Sequence, residues 1–314
     1  MTLRAAFLAL SLAVLSVATP VHAQSPGGAF CGTRTTRPPR KYAHVIWIWL
    51  ENHSFADIVG SPDAPYINGT LIPGCGLATN FHNITHVSLP NYLGAVTGLK
   101  LADLQPFLLD CNPSVTCSTP ADSIFAHVAS WKAYEEAMPS NCSPANAGTY
   151  AVRHNPPVYL TSLPDCSTFD VPYTDLQADL DADTLPAFSF VTPDLCDDIH
   201  SCPTPSGDTW LAQNLPLIVA SNAYQSGTTV VFVTFDEGSL GPMFSLGEDC
   251  AKNTIDESCH VPTIVISPYT RPGTTSSKLF NHYALLKTTQ KLLGAGRLLG
   301  LARKSRSMRR AFHL

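Results

Sequence analysis

Charge is sparse in this chain. Asp, Glu, Lys and Arg make up 14% of its 314 residues, and the formal net charge is only -5. Nothing in that balance suggests a nucleic-acid surface, and an anionic substrate would have to be attracted locally rather than by the molecule as a whole. No Cys-x-x-Cys pair occurs, and after the first 23 residues no apolar run is long enough to cross a bilayer. The expected partner is therefore small, and no nucleic acid is expected.

What is present begins with an export signal. Met1 to Ala23 carries one early Arg, an apolar run from Ala5 to Ala18 and a terminal Val21-His22-Ala23 that fits small-x-small cleavage. A secretory signal peptide is expected over 1–23, and hence a secreted protein, extracellular or periplasmic. All ten cysteines follow it. An even count in an exported chain favours disulfides over metal thiolates, and the short separations Cys111 to Cys117, Cys196 to Cys202 and Cys250 to Cys259 suggest local staples. Residues 24–42 are rich in Pro, Gly and Thr and form a linker or arm, with Cys31 available to pin it. A catalytic domain is expected over 43–295, and a basic tail over 296–314.

Two apolar runs organise that domain. Val45 to Leu50 is six apolar residues, many β-branched or aromatic, followed at once by Glu51-Asn52-His53-Ser54. Thr228 to Phe235 repeats the layout and ends at Asp236-Glu237-Gly238. Both read as buried strands of an α/β sheet whose polar ends face a crevice, where such folds bind ligands. Shorter strands are expected at Ala78 to Ile84, Ala187 to Thr192 and Pro262 to Ser267. Helices are expected from Tyr66 to Ile72, near Ser123 to Met138, from a cap at Asp208 to Ala220, and from Asn281 to Leu293. Pro156-Pro157 should hold Arg153 and His154 in an extended loop.

Ser88 stands ahead of Leu89-Pro90 at the start of a helix running to Thr97, with Gly98 as its stop. An ordinary N-cap is the commoner use of such a residue, yet the place also suits a nucleophile, because a helix N-terminus stabilises negative charge on the oxygen and on a bound phosphate. The crevice then holds Glu51, Asn52, Ser88, Asp236 and Glu237, with His86, His154, His200 and His282 nearby. Carboxylates and an amide oxygen are ligands for a hard divalent cation, so a divalent metal ion of unknown identity is expected. A cation beside the Ser oxygen makes the alkoxide accessible, as phosphoryl transfer requires.

The runs Glu51-Asn52-His53-Ser54, Ser88-Leu89-Pro90-Asn91-Tyr92-Leu93, Asp198-Ile199-His200, Gly207-Asp208-Thr209-Trp210-Leu211, Thr234-Phe235-Asp236-Glu237-Gly238, His260 to Pro268 and Asn281-His282-Tyr283 resemble, in order, the motifs of the phosphoesterase family. That family holds secreted acid phosphatases and non-haemolytic phospholipases C, and this chain is more similar to the compact acid phosphatases. The resemblance implies an alkaline-phosphatase-like α/β/α sandwich around a mostly parallel sheet. It also implies metal ligands at Glu51, Asn52, Ser88, Asp236 and Glu237, and catalytic roles for Ser88, His154, His200 and His282. Asn91 and His86 would contact substrate, although Val87 replaces the family's frequent Pro beside His86. The expected function is a secreted acid phosphatase acting on phosphate monoesters through a metal-activated serine and a phosphoserine intermediate. A phospholipase C or phosphoinositide phosphatase is the alternative, with a phospholipid head group as substrate and possible peripheral membrane contact by the basic tail. A non-catalytic phosphate-binding module is a third reading.

Overall fold

A computed structural model describes residues 30–241 and 245–314; the expected signal peptide and the first part of the arm lie outside the described residues. In chain order the strands are β1 (His44–Leu50), β2 (Gly76–Ala78), β3 (Phe81–His82), β4 (Trp131–Glu135), β5 (Asp170–Pro172), β6 (Phe188–Thr192), β7 (Thr229–Phe235), β8 (Thr263–Ile266), β9 (Thr274–Ser276) and β10 (Phe280–Asn281). The longer helices are α1 (Ser88–Thr97), α2 (Thr174–Asp181), α3 (Thr204–Ala220) and α4 (His282–Leu293). An eight-stranded sheet runs β5-β4-β6-β1-β7-β8-β2-β9, while β3 and β10 form a separate pair. From β5 to β7 every pairing is parallel; β8 runs against both of its neighbours.

β1 lies in the middle because its composition permits nothing else. Alternate residues of a strand point to opposite faces, yet Val45 to Leu50 are all fully buried, so both faces of the sheet are covered. On one face Trp47 donates through Nε1 to Thr289 Oγ1 of α4 at 2.9 Å, and its ring meets Phe188 edge-on at 4.9 Å. The helix ends follow their residues. Asn281 caps α4 by accepting from the Ala284 amide at 3.0 Å, and Gly98, at φ 75°, closes α1 in the left-handed region that a side chain disfavours.

Three local expectations are corrected and one is refined. Ser123 to Met138 is not helical: a 3₁₀ turn at Ile124–His127 precedes β4, which is held between β5 and β6. Tyr66 to Ile72 is helical as expected, with a π-helical centre at Ile67–Leu71. Asp208 lies inside α3 rather than capping it, and its carboxylate caps that π turn instead, accepting from the Tyr66 and Ile67 amides at 2.9 and 2.8 Å. Arg153 and His154 sit in a 3₁₀ turn, Val152–His154, not in an extended loop.

The ten cysteines form five disulfides: Cys31–Cys75, Cys111–Cys117, Cys142–Cys166, Cys196–Cys202 and Cys250–Cys259. The three local staples are those expected from spacing, and Cys31 does tie the arm to the domain. The basic tail folds back rather than trailing away, burying Met308 and Phe312 and accepting at the Phe312 carbonyl from Thr270 Oγ1 at 2.7 Å. Among the described residues no helix is long and apolar enough to cross a membrane.

Candidate active site

Strand register builds the floor of the site. Leu50 pairs with Phe235 across β1 and β7, so the next residues, Glu51 and Asp236, emerge side by side from adjacent parallel strands. Both are fully buried. Asn52 then turns away through a left-handed backbone (φ 55°), its amide donating to Asp236 Oδ1 at 3.0 Å and its carbonyl accepting from Ser239 Oγ at 2.9 Å. The Asn52 side chain has no hydrogen bond among the described residues and remains available to a ligand.

Helix α1 supplies the next wall. Val87 is the N-cap and Ser88 the first helical residue, so Ser88 is not the cap. Ser88 donates from Oγ to Glu51 Oε2 at 2.9 Å, and Tyr92, one turn later on the same face, donates to Glu51 Oε1 at 2.6 Å. Glu51 is thus gripped at both oxygens by α1.

Asp198 completes the cluster. It follows β6, accepts from the His200 amide at 2.7 Å, and returns its carbonyl to the Glu51 amide at 2.9 Å. Its other oxygen holds His154 Nδ1 at 3.1 Å, leaving His154 Nε2 3.4 Å from Glu51 Oε1. Glu51, His154 and Asp198 offer donor atoms all within 4.8 Å of one another. Asp198 is not in the expected set, although the Asp198-Ile199-His200 run carries it beside the expected His200. Arg153 was likewise passed over. Its guanidinium donates to His200 Nε2 at 2.9 Å and lies 3.8 Å from Asp110, which accepts from the Leu89 amide beside Ser88.

The remaining expected residues divide. His282, first in α4, is fully buried, approaches the Asp236 carbonyl through Nε2 at 2.7 Å and lies tilted against the Trp49 ring, 4.7 Å between centroids. His200 is exposed at the rim, with its ring centroid 5.8 Å from that of His154. His86 and Glu237 bond to each other behind Ser88, and His86 also meets Ser258 Oγ at 3.1 Å. Asn91 has its four hydrogen-bonding positions spent on the loop before Ser88: its oxygen accepts from Ile84 and Thr85 amides and its nitrogen donates to Thr85 and Val87 carbonyls. The geometry gives Asn91 and His86 positioning partners, not open faces.

Electrostatics show what this arrangement lacks. Burial, then the charges of Asp236 and Asp198, push Glu51 well above the usual carboxylate range. Burial raises Asp198 to about 8 and Asp236 to about 6. Burial also holds His282 down to about 4 and His154 well below its ordinary value, so neither ring is cationic at neutral pH here. Three acids are packed together without a compensating cation, and Asp236 Oδ2, His154 Nε2 and His282 Nδ1 are buried without hydrogen-bond partners among the described residues. Such a set fits a divalent cation, which would neutralise the acids and use the orphaned atoms.

The phosphoesterase family model matches residues 64–295. The chain belongs to the phosphoesterase family. It is 28% identical over 254 residues to a phosphatidylinositol-3-phosphatase of Mycobacterium tuberculosis, covering 81% of this chain and 77% of that protein. An acid phosphatase of Aspergillus fumigatus is 26% identical over 76% of this chain and 52% of its own length, and a phosphate-repressible acid phosphatase of Penicillium chrysogenum 27% over 78% and 57%. The chain thus spans about half the length of these fungal relatives. A Vibrio parahaemolyticus protein of the alkaline phosphatase superfamily superposes with TM-score 0.54 at 13% identity, covering 89% of this chain and 74% of that one. At that identity the match speaks for the fold, which is that of the alkaline phosphatase superfamily. As a member of the phosphoesterase family the chain is a phosphoric ester hydrolase with phosphatase relatives.

Proposed function

We propose that this phosphoesterase is a secreted acid phosphatase that hydrolyses phosphate monoesters with Ser88 as nucleophile. The carrying observation is the Ser88 hydroxyl, placed at the first residue of α1 and donating to Glu51 within a buried acid cluster. Glu51, Asn52, Asp198 and Asp236 would hold a divalent cation, with His154 and His282 completing the set. When bound, that cation supplies charge neutralisation for the phosphate and for the serine oxygen.

Ser88 Oγ attacks phosphorus in line, forming the Ser–O–P bond as the P–O bond to the alcohol breaks. Glu51 Oε2 receives the serine proton. His154, fixed by Asp198 at Nδ1, turns Nε2 toward Glu51 and the cation position, and His200 at the rim passes a proton to the departing alcohol. Tyr92 holds Glu51 in place, and Arg153 with His200 guards the rim, where a guanidinium can meet phosphate oxygens. Water then cleaves the phosphoserine, returning Ser88 and releasing inorganic phosphate. A bound phosphate dianion favours charged histidines, which supports an acid optimum against the lowering that burial alone gives them.

Phosphate burst and phosphoserine trapping with an aryl phosphate test this mechanism. Stoichiometric label on Ser88 is expected, and turnover by Ser88→Ala at near wild-type rate would overturn it. A phosphoinositide phosphatase is the second reading, favoured by the larger share of the mycobacterial relative's own length that the match covers, 77% against 52% and 57% for the fungal ones. Comparing a soluble monoester with phosphatidylinositol 3-phosphate, and with phosphatidylcholine for phospholipase C action, separates the three.

A further inference from the structure

The charges of this chain are segregated. Between Glu51 and Glu257 lie all 24 acidic residues but only four of the 19 Lys and Arg. After Glu257 there are ten cations and no acid, and the arm ahead of β1 adds Arg34, Arg37, Arg40 and Lys41.

Folding brings these two basic ends together. The Tyr42 amide donates to the Leu292 carbonyl at 2.8 Å, and Arg309 donates to the Pro39 carbonyl at 3.2 Å. The Lys41 side chain passes over Gly294, which closes α4 three residues after Lys291. Arg34, Arg271 and His313 line one shallow cleft of about 180 Å³. Arg297, Arg303, Lys304 and Lys100 line a second of about 560 Å³, which also takes in Asp103 and Asp122. Buried Leu299, Met308 and Phe312 anchor the tail while Lys291, Arg303, Lys304, Arg306 and Arg310 stay exposed. Among the described residues none of these arm and tail cations pairs with an Asp or Glu.

This basic end lies opposite the catalytic mouth. The Ala43 and His44 amides meet Thr228 at the amino ends of β1 and β7, whereas Glu51 and Asp236 follow the carboxyl ends, about 23 Å away along seven residues. Helix α4 starts at the site with His282 and ends at Gly294 beneath Lys41, and α1 runs from Ser88 to Gly98, whose carbonyl bonds the Leu301 amide.

We infer that the paired chain ends form a docking face for an anionic lipid surface, which holds the enzyme with its active site turned outward to soluble esters. Unpaired cations anchored by buried apolar residues suit a broad negative surface. No exposed aromatic side chain occurs among the described residues to stack nucleic-acid bases. The inference does not depend on the phosphoserine mechanism.

Co-sedimentation of the full exported chain with vesicles of phosphatidylcholine, alone or mixed with phosphatidylglycerol, tests it. Binding is expected only to the mixed vesicles, lost on raising salt. The triple variant Lys291→Glu, Arg306→Glu, Arg310→Glu should bind at least about tenfold more weakly, with wild-type turnover of a soluble aryl phosphate and unchanged thermal unfolding. Lys252→Glu, on an acid-paired lysine of the acidic portion, should bind as wild type, and vesicle-bound enzyme should still turn over the aryl phosphate. Equal binding to neutral vesicles, equal loss from Lys252→Glu, loss of aryl phosphate turnover on the vesicle, or retention by DNA with none by the vesicles would overturn it. Should the triple variant fail to fold, single reversals at Arg306 and Arg310 carry the same comparison.

Discussion

Two groups of buried acids sit in this sheet, and they have been put to different uses. Glu51, Asp198 and Asp236 gather at the carboxyl ends of β6, β1 and β7; Glu135 and Asp170 lie on the neighbouring pair β4 and β5. Burial raises both groups, Glu135 well above the usual range and Asp170 to about 8. Their surroundings differ. Asp170 accepts from Asn155 Nδ2 at 2.8 Å and Glu135 from Thr192 Oγ1 at 3.2 Å, and among the described residues no histidine is hydrogen-bonded to either. The first group instead meets histidines with orphaned nitrogens and a serine hydroxyl. Orphaned atoms occur in the second group too, at Asp170 Oδ1 and Asn155 Oδ1, so neither acid burial nor an unspent oxygen separates the two groups; the serine hydroxyl and the histidine nitrogens facing the first one do.

The largest break in this comparison is expected from Ser88→Ala, which should cut aryl phosphate turnover on the order of a thousandfold or more, while Glu135→Gln stays within a few-fold; steady-state kinetics on both decide it. Next comes the cation. A strong chelator should abolish turnover and lower the unfolding temperature of the wild type, and Glu51→Gln should erase that chelator-dependent shift. An unchanged melting curve in the wild type would remove the metal from the site.

Asp170 gives a smaller effect with a defined sign. Its folded value is raised, so its contribution is fully present below the unfolded carboxylate value near 4 and is lost as pH climbs toward about 8. Asp170→Asn should flatten that decline and gain on the order of 1–3 kcal/mol near pH 8 relative to the wild type. Urea unfolding across pH measures it, and a variant that loses stability with rising pH as steeply as the wild type would refute the protonated pair. Smallest is Asp208→Ala, which removes the acceptor for the Tyr66 and Ile67 amides and should cost about 1 kcal/mol with turnover unaltered.

Much of the first acid group was legible beforehand. Val45 to Leu50 and Thr228 to Phe235 are continuous apolar runs that only a doubly covered strand accommodates, and the acids after them inherit their place from parallel register. Asp198 was harder. It shares a loop with Asp194 and Asp197, and which acid turns inward is decided by a left-handed residue, Ile199 at φ 66°, for which a β-branched side chain gives no warning. Trp131 to Met138 misled for another reason. Lys, Ala, Glu and Met favour helix on their own, but pairing with β5 and β6 overrides that preference. Asn91 reads as a polar residue beside a nucleophile, and nothing local discloses that four backbone groups will claim it.

Helix α1 makes the Ser88–Tyr92 interval a matter of angular phase. Successive helical residues are turned by about 100°, so a single insertion between these two would swing Ser88 off the carboxylate that Tyr92 still held. The same insertion beyond Thr97 would leave both hydroxyls in step. The catalytic distance here is counted in residues rather than ångströms, and the short interval from 88 to 92 is fixed in length as firmly as in its side chains.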